Sequence, residues 1–240
     1  MSNSFLEGAS YALAGFKFIG KPRLRRFVVI PFLLNLILFS IGLWFGTQWI
    51  DSYIDNLLPW WLEWLRFVIW PLLFVAALAV IFSTFTMIAN LLGAPFNSML
   101  AEAVETRLSG QALSDNPKTT SLTKDTFLSI KSELEKLAFF GLRAIPLLLL
   151  FVIPGINFLA PFLWFLFGAW MLVHQYMDFP MANNEISFKQ QRPILKAKRT
   201  MLIGFGLTVM AMTLIPILNF FAMPVTVSGA TYMWYEQFKT

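Results

Sequence analysis

Charged residues are missing from four long stretches of the chain, and these gaps organise it better than any short motif. They cover residues 27–50, 67–101, 144–177 and 200–235, which is 24, 35, 34 and 36 residues. A helix that crosses a bilayer needs about 20 apolar residues. Each gap is therefore expected to lie in a membrane. The first, Phe27 to Ile50, reads as one span with Trp44 and Trp49 as interface anchors near its end. The second starts at Phe67 and meets Gly93-Ala94-Pro95-Phe96-Asn97. That pattern predicts a span, a Gly-Pro break, and a helix continuing toward Glu102 and Glu105.

The third and fourth gaps are long for one span and tight for two, and each carries a central breaker. One holds Ile153-Pro154-Gly155-Ile156-Asn157-Phe158-Leu159-Ala160-Pro161 and the other Ile215-Pro216-Ile217-Leu218-Asn219-Phe220-Phe221-Ala222-Met223-Pro224. The two blocks are near copies, a weak internal repeat of the kind transporter folds show. Pro and Asn in mid-gap predict a helix–turn–helix hairpin in each. A tip that stays inside the bilayer must bury its free backbone groups in protein or against a wet cavity. The alternative is a single kinked helix, since Pro is common in membrane helices.

Lys and Arg counts set the topology. Residues 1–26 hold five, the connection 51–66 holds only Arg66, 102–143 hold six and 178–199 hold five. The positive-inside rule puts the three rich segments in the cytoplasm and 51–66 outside. Both flanks of the third gap then lie on one side, as a hairpin requires. The C-terminus is predicted cytoplasmic. The N-terminal segment does not read as a signal peptide, because its basic cluster follows the weakly apolar Phe5–Ile19 stretch. It reads as an interfacial amphipathic helix. The expected organisation is one all-α membrane domain, residues 1–240. It comprises an interfacial or cytoplasmic helix (1–26), a span (27–50) and a broken span (67–101). A cytoplasmic helical region (102–143) follows, then a hairpin (144–177), a cytoplasmic loop (178–199) and a second hairpin (200–235). Within 102–143, Asp115-Asn116-Pro117 breaks the helix and Thr123-Lys124-Asp125 restarts it.

Composition agrees. The 240 residues are 58% hydrophobic and only 13% charged, against roughly 45–50% and 25% in soluble domains. They include 26 Phe, 9 Trp and 5 Tyr. A soluble fold of this length could not hide so much apolar surface, so lipid must cover it. Disorder, nucleic-acid binding and an ordinary water-soluble enzyme are excluded. The net charge of +5 suits cytoplasmic flanks beside anionic lipid, or attraction for an anionic solute.

No catalytic machinery is legible. There is no Cys, and His174 is the only His. Disulfides, a His-pair zinc site and a Ser-His-Asp relay are therefore out. No cofactor or metal is expected, and no phosphate-binding loop or nucleophile elbow occurs. His174, among apolar residues, reads as a structural hydrogen-bonding side chain. Two basic places remain. Arg25 and Arg26 precede the first span, either as a positive-inside anchor or as a forked clamp for a tetrahedral oxyanion. In Gly141-Leu142-Arg143-Ala144-Ile145-Pro146, Gly and Pro flank the expected start of a membrane helix. Free amides there, with Arg143, would form an anion site. A snorkelling flank residue is the alternative for Arg143. Glu102, Glu105 and Arg107 are candidates for a gate or filter, or equally an interhelical salt-bridge cluster. Asn35 and Asn97 either line a path or hydrogen-bond a neighbouring helix.

The sequence Lys21-Pro22-x-Leu24-Arg25-Arg26-Phe27, with Pro31 and Asn35, resembles the start of the CysZ-type sulfate permeases. Gly93-Ala94-Pro95-Phe96-Asn97 through Glu105, Gly141-Leu142-Arg143-x-Ile145-Pro146 and the late Ile-Pro-x-x-Asn-Phe blocks are similar too, so the likeness covers about residues 5–238. The resemblance implies a bacterial inner-membrane transporter that supplies sulfate to cysteine biosynthesis. It implies two long membrane helices with hairpins that penetrate only partway, and a symmetric homo-oligomer in lipid. Its sulfate site would fall on Arg25, Arg26, Gly141, Leu142 and Arg143, with the amides of Leu142 and Arg143 at a helix N-terminus. A site built only of donors selects an anion with no proton to give. The competing reading is a non-transporting assembly or lipid-organising membrane protein.

Overall fold

In a computed structural model of the chain, the structure describes residues 4–22, 24–57, 67–68, 71–72, 75–76, 79, 95–110 and 122–239. Among these residues there is no strand, and the elements are helices α1 (Phe5–Ala14), α2 (Phe16–Ile19), α3 (Arg26–Leu57), α4 (residues 95–108), α5 (Leu122–Val152), α6 (Ala160–Asn183), α7 (Phe188–Ala197), α8 (Arg199–Leu214) and α9 (Pro216–Gln237). They form two compact units, residues 26–96 and the remainder.

The smaller unit is described mainly through α3, whose 32 residues carry the first charge-free gap and run on past Asp51. Its segment Arg26–Gly46 is long and apolar enough to cross a membrane, and none of that window is buried. Ile37, Trp44 and Phe45 are all exposed. An uncovered apolar helix of this length suits lipid better than water. The Gly93-Ala94 break and the side chains of Asn35 and Trp49 lie outside the described residues, but the helix expected after the break is present as α4.

The larger unit is built around the α8–α9 pair. The Ser4 hydroxyl caps α1 by accepting from the Glu7 N–H at 3.1 Å. That helix then lies hard against α8 and α9. A Cβ on Gly8 would overlap the Met201 carbonyl, and one on Gly204 would overlap the Phe5 carbonyl. Small residues on both partners let the two backbones touch, as they do between membrane helices. Behind them Ala12, Leu202, Phe205, Val209, Val225, Val227, Ala230 and Met233 are buried. The N-terminal helix is thus part of the core, not a loosely attached flank.

In each late gap two helices are joined by a break at the repeated Ile-Pro block. The repeated Ile-Pro blocks are the turns, yet they differ. Between α5 and α6 the chain spends residues 153–159 on the turn, and Gly155 takes φ +89°. Between α8 and α9 the turn is Ile215 alone, extended at φ −93° and ψ 114°, with Pro216 starting the next helix. A residue before Pro is pushed out of the helical region, and Pro suits a helix start. The residue aligned with Gly155 is Ile217. A β-branched side chain resists positive φ, so the second helix resumes at once.

One boundary departs from expectation. The helix predicted to begin near Gly141 is instead the second half of α5, which runs unbroken from Leu122 to Val152 with Pro146 inside it. Pro146 removes one N–H and leaves the Leu142 carbonyl without its helical donor. The mixed-charge stretch and the apolar run are otherwise both good helix formers, and one lost bond does not end them. The second apolar stretch of membrane-crossing length is Asn157–Asn183, α6 with the last three residues of the turn before it.

Candidate functional site

The chemistry of the larger unit concentrates where α5, α6, α7 and the start of α8 meet. Short α7 has two faces. Phe188, Gln191 and Leu195 are buried, while Lys189, Arg192 and Lys196 turn outward. The Gln190 side chain accepts from the Ser187 N–H at 2.9 Å and so fixes the start of α7. Opposite it, α5 presents Phe139 and Arg143, and α6 presents Trp170 and His174 one turn apart. Arg199 opens α8. Together these side chains, with Lys189 and Pro193, line a cavity of about 470 Å³.

Five of the lining residues are Lys or Arg, and none is Asp or Glu. Aromatic faces hold the guanidiniums. Arg143 Cζ lies 3.5 Å from the Phe139 ring centroid, Arg192 Cζ 4.3 Å from that same centroid, and Arg199 Cζ 5.8 Å from the Trp170 ring. Arg143 also donates to the Phe139 carbonyl at 3.0 Å. The nearby acids bind Lys136, Gln191 and, at the edge of the cavity, Lys189. Asp178 accepts from Lys136 at 2.6 Å and from Gln191 at 2.8 Å, and Glu135 lies 3.4 Å from the well-exposed Lys189. Among the described residues no carboxylate pairs with Arg143, Arg192, Lys196 or Arg199. A ring face orients a cation without neutralising it. The cleft is therefore pre-charged for an anion. His174 donates from Nδ1 to the Trp170 carbonyl at 3.0 Å and is wedged among Phe139, Phe140, Trp170 and Phe188.

The residues singled out by the sequence are dispersed. Arg143 is in the cleft. Gly141 and Leu142 lie beside it inside α5, not at a helix N-terminus, so their amides belong to a helix interior. Leu142 is 69% exposed, and a Cβ on Gly141 would meet nothing within 4 Å. Arg25 sits in an exposed turn, its N–H donating to the Lys21 carbonyl at 3.2 Å, and ends the first segment of the larger unit. Arg26 opens α3, its Cζ 4.9 Å from the Phe27 centroid. Asn97 is buried, with Nδ2 3.3 Å from Met223 Sδ. Glu105 is buried and pairs with Lys239, and both its oxygens accept from Asn184 at 3.0 Å. Glu102 is exposed. Arg107 borders a second recess of about 290 Å³ with Lys17, Lys21 and Tyr232.

Sequence reasoning missed Lys189, Arg192, Lys196 and Arg199 as ligand groups and counted them only as topology charges. The signal was there. Basic residues at 189, 192 and 196 interleave with apolar or neutral ones at 188, 191 and 195, which puts three cations on one helix face.

A family model described as Sulfate transporter CysZ/Etoposide-induced protein 2.4 matches residues 11–224. A protein of Pectobacterium atrosepticum named Sulfate transporter CysZ is 42% identical over 237 residues, covering 97% of this chain and 86% of the relative.

Proposed function

This chain belongs to the Sulfate transporter CysZ/Etoposide-induced protein 2.4 family, and we propose that it conducts sulfate across a bacterial inner membrane, with the cleft at Arg143 as its binding site. It is a transporter and not an enzyme. The observation that carries the site is the set of four cations, Arg143, Arg192, Lys196 and Arg199, that face a common cavity with no acidic partner among the described residues. Sulfate at neutral pH carries two charges and only accepts hydrogen bonds. Guanidinium and ammonium groups only donate. An oxyanion that still carries a proton would find no acceptor for it among these four cations.

In this reading α7 and the start of α8 lie at the cytoplasmic surface, where the basic segments are expected, and the cleft is the inner end of the path. Arg25 and Arg26 attract the ion at a second place along it. The two late hairpins enter the bilayer partway, and copies of the chain associate to cover what one copy leaves open. Exposed Ile145, Leu148, Leu149, Phe162 and Phe165 on α5 and α6 support a lipid- or copy-facing surface there. Supply of sulfate to cysteine biosynthesis follows from inward flux.

Radiolabelled sulfate uptake into liposomes carrying the purified protein tests this, with Arg25→Ala/Arg26→Ala alongside. Protein-dependent uptake is expected, reduced in the double variant. Uptake no greater than in empty liposomes, from monodisperse protein, would refute it.

A further inference from the structure

Three guanidiniums of the cleft sit on two aromatic pedestals. Arg143 and Arg192 both sit over Phe139. Arg199 sits over Trp170, and Lys196, three residues before it in the chain, lines the same cavity. The His174 ring lies between the pedestals, with its centroid 5.7 Å from that of Phe139 and 4.9 Å from that of Trp170. Building on the sulfate reading, we propose that the cleft holds two doubly charged oxyanions at once. One would sit at Arg143 and Arg192 and the other at Arg199 and Lys196, with His174 between them.

Three considerations lead there. The first is charge. One sulfate neutralises two of the four cations that have no acidic partner among the described residues, whereas two sulfates match all four. The second is space. A cavity of about 470 Å³ is in the range that takes whole organic ligands, roughly 300–1,000 Å³, so one small tetrahedral ion leaves most of it empty. The third is donor supply. Arg199 is the first residue of α8, and no side chain caps that helix. Its own N–H is one of the orphan donors of the first turn, at the positive end of the helix. The second group can thus offer a backbone donor beside its side chains.

Double occupancy bears on release. A cleft that holds a lone dianion among four cations would hold it too firmly for conduction. A second ion repels the first and restores weak binding, as in multi-ion pores.

The test is bound sulfate per chain, measured by equilibrium dialysis of radiolabelled sulfate against the full-length protein in detergent. Wild type is compared with Arg192→Gln, Arg199→Gln and the double variant. All three change exposed side chains, and each sample is first checked for monodispersity by size exclusion. Each single variant should lose one ion per chain and the double variant two. Lys196→Gln should lose the same ion as Arg199→Gln and serves if the latter does not fold. A loss of one ion common to all the variants, or no loss in any, would overturn the two-ion proposal and leave the transport reading standing. A wild type that binds no sulfate would refute the transport reading itself.

Discussion

The guanidinium of Arg143 lies 3.5 Å from the ring centroid of Phe139, four residues earlier on the same helix. Because α5 continues through Gly141 and Pro146, residues 139 and 143 share a face one turn apart. Replacing Phe139 by Leu should keep an apolar side chain and remove the pedestal. An exposed cation–π contact contributes about 0.5–1 kcal/mol, so sulfate affinity should fall about 2–5-fold. Equilibrium binding of radiolabelled sulfate measures this. Unchanged affinity would mean the ring does not position Arg143.

Gly141 separates two reasons for a glycine. Its backbone is helical and a Cβ would meet nothing. Gly141→Ala should therefore raise stability by about 0.5–1 kcal/mol, the usual gain inside a helix. If an ion or a neighbouring copy approaches the backbone there, sulfate flux should fall while Tm rises. A rise in Tm with unchanged flux would remove Gly141 from the site.

Gly8 and Gly204 face the opposite situation. A methyl on either would overlap a backbone carbonyl of the other helix. Forcing packed helices apart costs about 1–3 kcal/mol, and Gly8→Ala or Gly204→Ala should lower Tm accordingly in detergent. Because both widen the same α1–α8 crossing, the double variant should cost less than the two singles combined.

Glu105 is held by Lys239 and Asn184. The Lys239 side chain is 43% exposed and that of Glu105 only 11%, so water screens the pair from one side. Lys239→Met should cost about 1 kcal/mol or less, since Asn184 still donates to both oxygens. Glu105→Leu should cost more, about 1–3 kcal/mol, because the half-buried Asn184 amide is then left with only the Pro180 carbonyl as a partner. Chemical denaturation in detergent orders the two, and the reverse order would contradict this account.

Much of the fold was legible because a membrane imposes a simple rule: charges stay out of long helical stretches. The gaps located α3, the α5–α6 turn and the α8–α9 turn. The Ile-Pro blocks marked both breaks between helices. The difference between the two turns also lay in the sequence, in Gly155 against Ile217, though only once both were known to be turns. The start of the helix at Gly141 was misjudged because Gly and Pro near a charge boundary look like a helix beginning, and nothing local shows that the preceding helix continues. The cleft was only half visible. Arg143 stood out by its motif, but the cations of α7 and α8 reach it through tertiary packing of Phe188 and Leu195, which spacing alone does not reveal.

The most direct test of the account is the initial rate of radiolabelled sulfate uptake into proteoliposomes for wild type, Arg143→Lys and Arg143→Gln, with equal protein incorporation confirmed. Lysine keeps the charge but loses the forked donors and the flat stacking plane. The account predicts a partial loss of uptake with lysine and a loss of at least about tenfold with glutamine, since hydrogen bonds from charged groups are worth about 1.5–3 kcal/mol each. Uptake by Arg143→Gln equal to that of wild type would contradict it and place the sulfate path elsewhere in the chain.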